Sequence, residues 1–274
     1  MRQRSVVRMI AASVALLAFT ACQTITAPLP PTSTEFYAIT RGEGGVTSEL
    51  YYMDEFGTAT LVGDTGVVLR SIKADPTDGT MYGMVWDGGG TNPALVPIDL
   101  ETGAAGTGVP LSVDGARRAF AFLGDGTLIA HNGDTDDFEV IDVTTGNVTV
   151  LGPNTEISWY AYGMWVDDDD VLWFNNGDGN VYTIDTSDGS QTLVHEFDDW
   201  VGVYEDAALA PWGDVILQGD FNRDTGELWG VSHGYNYIPA SAIVRAKIDA
   251  DGAELIGTAP AQSAIAIRSL AFPR

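Results

Sequence analysis

FEVIDVTTGNVTVLG (Phe138–Gly152) carries the pattern on which the fold rests. Apolar Phe138, Val140 and Ile141, interrupted by Glu139, lead into Asp142, a Thr-Thr-Gly turn and a second run that is mostly β-branched. An Asp and a Gly flanking a short polar stretch between two such runs read as a β-hairpin, with Asp142 closing the turn against backbone amides. Four more stretches share the pattern: LYYMDEFGTATLVG from Leu50, ALVPIDLETGAAGTG from Ala94, VYTIDTSDGSQTLV from Val181 and IVRAKIDADGAELIG from Ile243. Their aspartates, Asp54, Asp99, Asp142, Asp185 and Asp249, are separated by 45, 43, 43 and 64 positions. A fixed period with strands inside it signals a repeat architecture.

A second hairpin precedes each of the last four. These read SIKADPTDGTMYGM from Ser71, AFAFLGDGTLIAH from Ala119, GMWVDDDDVLWFN from Gly163 and AALAPWGDVILQGD from Ala207. Two hairpins per period make four antiparallel strands, the content of one propeller blade. The first period lacks an innermost strand, since FYAITRG (Phe36–Gly42) begins with what should be the second; SLAFPR (Ser269–Arg274) supplies the missing one. The expected fold is therefore all-β: a five-bladed β-propeller whose C-terminal strand joins the N-terminal blade, closes the ring and removes both sheet edges. The repeats resemble those of secreted bacterial propellers of the form Y-x-I-D-x-x-T-G, a likeness of architecture that implies no reaction.

Composition agrees with a large globular domain. The chain of 274 residues is 45% hydrophobic, and its 32 glycines and 12 prolines are spread between short apolar runs. Thirteen basic residues stand against 38 acidic ones, and three of the thirteen, Arg2, Arg4 and Arg8, fall in the N-terminal leader. So acidic a surface repels nucleic acid and anionic lipid, which excludes nucleic acid as a partner.

The leader itself gives the expected address. MRQRSVVR supplies positive charge and MIAASVALLAFTA an apolar stretch of 13 residues, short of the roughly 20 that a membrane-spanning helix needs. FTAC (Phe19–Cys22) resembles a bacterial lipobox, which implies cleavage before Cys22 and lipidation of its thiol; an ordinary secretion signal with an incidental cysteine is the alternative. Gln23 in place of Asp implies sorting to the outer membrane. The expected organisation is a lipoprotein signal peptide over 1–21, a lipidated cysteine with a Pro/Thr-rich tether over 22–34, and the propeller over 35–274. With Cys22 acylated no thiol remains, so disulfides, thiolate metal sites and a cysteine nucleophile are excluded.

Two features point to a ligand. The 64-residue spacing leaves about 20 residues beyond the period, placed between the second and third strands of the fifth blade, on the face that also carries the connections between blades. This insert, DFNRDTGELWGVSHGYNYIPAS from Asp220, holds Phe221, Trp229, His233, Tyr235 and Tyr237. It reads either as a cover over a pocket or as an extra hairpin with a satellite core. Aligning the innermost strands puts Ser71, Ala119, Gly163, Ala207 and Ser269 in one column, preceded by Arg70, Arg118, Tyr162, Asp206 and Arg268. Arginines gathered at a channel mouth can fork onto carboxylate or phosphate; alternatively they neutralise Asp64, Glu205, Asp206 and other acids.

The expected ligand-binding set is thus Arg70, Arg118, Tyr162, Glu205, Asp206, Trp229, His233, Tyr235 and Arg268, taking a small anionic ligand, a carbohydrate or an envelope protein. The histidines His131, His195 and His233 come from separate blades and make no zinc pattern, and no cofactor is expected. DFNRDTGE (Asp220–Glu227) half-resembles a calcium loop. The alternative function is a surface hydrolase of glycosidase or lactonase type, with or without calcium, drawing on loop acids such as Asp87, Asp134 and Asp178.

Overall fold

The structure, a computed structural model, describes residues 35–40, 46–54, 58–85, 90–155, 161–176, 180–196, 218–232, 242–249, 252–260 and 267–274. It is an all-β propeller of four-stranded antiparallel blades. The described residues form five four-stranded sheets. The second holds β4 (Leu69–Ala74), β5 (Met81–Val85), β6 (Ala94–Ile98) and β7 (Val109–Pro110); the third holds β8 (Arg117–Phe122), β9 (Leu128–Asn132), β10 (Asp137–Ile141) and β11 (Val148–Pro153). The fourth holds β12 (Ala161–Val166), β13 (Leu172–Asn176), β14 (Val181–Ile184) and β15 (Gln191–His195). The fifth holds β16 (Gln218–Asn222), β17 (Glu227–Ser232), β18 (Ala242–Asp249) and β19 (Gly252–Pro260).

The first sheet draws on both ends of the chain. It orders β20 (Ile267–Ala271), β1 (Phe36–Thr40), β2 (Glu49–Met53) and β3 (Ala59–Asp64). The C-terminal strand pairs antiparallel with the first, Tyr37 opposite Ala271 and Ile39 opposite Ser269. Innermost strands pack on innermost strands: β20 on β4, β4 on β8, β8 on β12, β12 on β16, and β16 on β20.

The repeated Asp–turn–Gly unit has a local cause. Asp142 accepts the amides of Thr144 and Thr145 at 2.8 and 3.0 Å, and Asp99 those of Glu101 and Thr102 at the same distances. These amides hold both carboxyls below the usual carboxylate range. The turn glycines do a second job. Gly103 has φ of +78°, and a Cβ there would lie 2.8 Å from the backbone nitrogen of Gly63, on the outer strand of the neighbouring sheet. Gly189 meets Gly152 of β11 in the same way, and Gly146 meets Pro110 of β7. The turn glycine of one repeat is thus a seam against the outer strand of the repeat before it.

Between sheets lie apolar layers. Met84, Leu95, Phe120, Leu128 and Ile141 fill the seam of the second and third sheets, and Phe138, Met164, Leu172 and Phe174 that of the third and fourth. Phe138 and Phe174 meet edge-to-face at 5.3 Å.

The fifth sheet departs from expectation. Its innermost strand is Gln218–Asn222, not a strand beginning at Ala207, and Glu227–Ser232 is its second strand. GELWGVS is therefore part of the blade rather than an insert within it. Residues 196–217 separate β15 from β16, where 154–160 separate β11 from β12, so much of the length beyond the period precedes this blade.

Candidate functional site at the bulged register

Four of the innermost strands share one irregularity. In β4, Leu69 pairs with Val85 and Ser71 with Met84, leaving Arg70 as the extra residue of a β-bulge. Arg118 is extra in β8, between Arg117 opposite Asn132 and Ala119 opposite His131. Tyr162 is extra in β12, between Ala161 opposite Asn176 and Gly163 opposite Asn175. In β20 it is Arg268, between Ile267 opposite Thr40 and Ser269 opposite Ile39. A bulge frees one residue from the ladder and re-aims it, which is why bulges cluster beside functional sites. Four members of the column read from sequence, Arg70, Arg118, Tyr162 and Arg268, are bulge residues, and the fifth, Asp206, lies outside the described residues.

The three arginines belong to three sheets packed in succession, the first, second and third. Arg268 Nε donates to the carbonyl of Arg70 at 3.1 Å, so one bulge grips the next. Arg70 and Arg268 are 9% and 8% exposed, and Arg118 is half-buried. A Cβ on Gly133 would sit 3.5 Å from Arg118 Nε, which places the arginine stem across the β9–β10 turn of its own blade. Asp64, named from sequence as a neutralising acid, instead accepts from the Thr47 hydroxyl and the Gly66 amide.

A buried network supports the Arg118 bulge, and sequence reasoning missed it. Arg117 Nε donates to Glu139 Oε2 at 2.7 Å, with side chains 0% and 2% exposed. Asn132 Nδ2 donates to Glu139 Oε1 at 2.9 Å, and Arg117 Nη1 to the Gly115 carbonyl at 3.1 Å. A glutamate inside β10 was the available signal, because a charge at a strand position that faces a neighbouring blade needs a partner. Beside it, burial and then the Arg118 charge push the His131 imidazole down to about 3. His131 is neutral at physiological pH, and it packs against Phe138 and Phe174.

Other expected site residues fall elsewhere. Trp229 does not face a ligand: it is a fully buried residue of β17, edge-on to Phe36 and Phe272 at 5.7 Å each, with Nε1 donating to Glu227 at 3.1 Å. Its indole is core because the strand assignment moved. Cys22, Glu205, Asp206, His233 and Tyr235 lie outside the described residues, as does the side chain of Tyr162. Gln218 opposite Val231 stands where Ser71 stands opposite Met84, so in the fifth sheet Gln218, not Ala207, continues the column of Ser71, Ala119, Gly163 and Ser269.

The calcium-like stretch closes the β16–β17 hairpin. Asn222 accepts the amide of Asp224, and the Asp220 carboxylate is engaged by Lys73. Among the described residues no group of three or more His, Cys, Asp or Glu is placed to hold a metal ion. Of the loop acids a hydrolase would use, Asp134 accepts the Ala116 amide at 3.2 Å, and Asp87 and Asp178 lie outside the described residues.

Neither a family profile nor a curated protein matches this sequence. Among solved structures, the chain is similar to that of a nidogen/laminin complex, with a TM-score of 0.55 at 11% identity over 86% of this chain and 97% of the other. It is also similar to a protein of unknown function from Bacteroides caccae, with a TM-score of 0.53 at 12% identity over 87% and 99%. Against TolB from Acinetobacter baumannii the TM-score is 0.51 at 14% identity over 89% and 68%. These neighbours are β-propeller proteins, and at such identities the likeness is one of fold.

Proposed function

We propose that the chain is a closed five-bladed propeller, exported and tethered to the bacterial envelope through Cys22, that binds an anionic ligand at the bulged arginines. The five sheets and the circular packing of their innermost strands support the ring. The leader and the FTAC stretch support the anchor and an outer-membrane location. The observation that carries the binding reading is the placement of Arg70, Arg118 and Arg268 at one bulged register of three successive blades, in a chain with 38 acidic residues. Charge gathered against the overall sign, on strands bent to re-aim it, suits a carboxylate or phosphate borne by a small molecule, a sugar acid or an envelope protein.

Calorimetric titration of the domain with glucuronate, phosphate and, as a neutral control, glucose tests this reading. Each of Arg70→Ala, Arg118→Ala and Arg268→Ala is expected to weaken binding of the anion by roughly ten- to hundredfold, the range of one charge-assisted hydrogen bond. Glucose affinity should not follow. Unchanged anion affinity in the triple variant overturns the proposal.

A further inference from the structure

Lys73 lies on β4 and Asp220 on β16, two innermost strands that each pack against β20. The lysine reaches past β20 to the far strand. Its ammonium donates to the Gly219 carbonyl and, at 3.2 Å, to Asp220 Oδ1. Arg274 Nη2 stands 3.6 Å from that same oxygen, and Asp220 Oδ2 accepts the amide of Phe272 at 3.1 Å. Side-chain exposure is 6% for Lys73, 3% for Asp220 and 13% for Arg274. One buried carboxylate therefore balances two cations and holds the backbone that follows the last strand. Among the described residues, further charges interacting here are Arg223 of the β16–β17 turn, with Arg274 and Asp220, and, through Arg223, Asp168 and Asp170 of the β12–β13 turn.

We propose that Asp220 is an acid-releasable latch that ties the C-terminal segment to the fifth and second blades. Protonating it removes the counter-charge that Lys73 and Arg274 share, leaving two poorly hydrated cations facing each other. The Phe272 amide then loses its ionised acceptor, and the end of β20 separates from β16.

The direction of the pH effect follows from the site. Burial opposes the Asp220 charge, but Lys73, then Arg274 and the Phe272 amide, outweigh it and hold the carboxyl below the usual carboxylate range. A group depressed on folding contributes stability that is present above its unfolded pKa and is lost as pH falls through the folded value. Burial lowers Lys73 despite Asp220, which matters only at alkaline pH. Acid release belongs to the aspartate, and it stands independently of the anion reading.

Amide hydrogen exchange of the full mature chain tests the latch, with rates corrected for intrinsic pH dependence. On going from neutral pH to about pH 2, well below the ordinary carboxylate range because Asp220 is held beneath it, the Phe272 amide should lose protection by roughly ten- to a hundredfold, the most that linkage to one carboxyl allows over that span. Amides of β14, at a distance from the latch in the fourth sheet, should keep theirs. Asp220→Asn should show the loss already at neutral pH. Because that variant can fail to fold, the second arm is Lys73→Met with Asp220→Leu, which replaces the pair by apolar groups of similar size and should make Phe272 protection indifferent to pH. Equal protection of wild-type Phe272 at both pH values overturns the latch. So does acid loss that persists in the double variant, or loss in β14 in step with Phe272.

Discussion

Glu139→Ala is expected to destabilise the domain by about 3–5 kcal/mol, read from urea unfolding, because it strands a buried guanidinium. Arg117 and Glu139 are 0% and 2% exposed at the side chain and share a 2.7 Å bond. Truncating the acid leaves Arg117 with the Gly115 carbonyl and deprives Asn132 of its carboxylate acceptor. Replacing both charges, as Arg117→Met with Glu139→Leu, should recover most of the loss, since apolar pairs often substitute for buried ion pairs without cost. The single variant should also weaken anion binding beyond its effect on the folded fraction, because Arg117 anchors the strand immediately before the Arg118 bulge. A loss below about 1 kcal/mol, the scale of an exposed pair, would contradict the buried network.

Gly103→Ala should cost roughly 2–5 kcal/mol, the sum of left-handed backbone strain and overpacking. Gly66→Ala is the internal control. Both residues have positive φ, +78° and +73°, but a Cβ at Gly66 meets nothing within 4 Å, whereas at Gly103 it meets the Gly63 backbone at 2.8 Å. Gly66→Ala should therefore show the backbone strain alone, about 1–2 kcal/mol. The excess at Gly103 measures how tightly one blade turn is pressed into the next outer strand. Equal costs for the two variants would mean that the seam yields freely.

Much of this architecture was legible before any coordinates. The periodic aspartates marked the outer hairpins because an Asx-type turn is a local event: Asp142 bonds amides two and three residues on. The pairing of Tyr37 with Ala271 was legible too, because a missing innermost strand at one end matched a surplus one at the other. The fifth blade was misread for an equally local reason. Its length anomaly drew attention to GELWGVS, while the better guide was the likeness of FNRDTGELWGV (Phe221–Val231) to ADPTDGTMYGM (Ala74–Met84). Asn222 stands for Asp75, Gly226 for Gly79, and Trp229-Gly230 for Tyr82-Gly83. That alignment makes Trp229 a second-strand core residue, and it sets Lys73 and Asp220 in one column.

Four strands per repeat, turn chemistry and the register of Arg70, Arg118 and Arg268 were thus readable from the chain alone, since each depends on neighbours a few residues apart or on a period repeated along it. The bulges, the Arg117–Glu139 pair, the Gly63–Gly103 seam and the Lys73–Asp220–Phe272 latch depended on folding. In each, the outcome depends on groups brought together out of water, and what a side chain or carbonyl meets on another strand of its blade or across a blade boundary is set by the pairing, twist and stacking of whole sheets, which no single segment encodes.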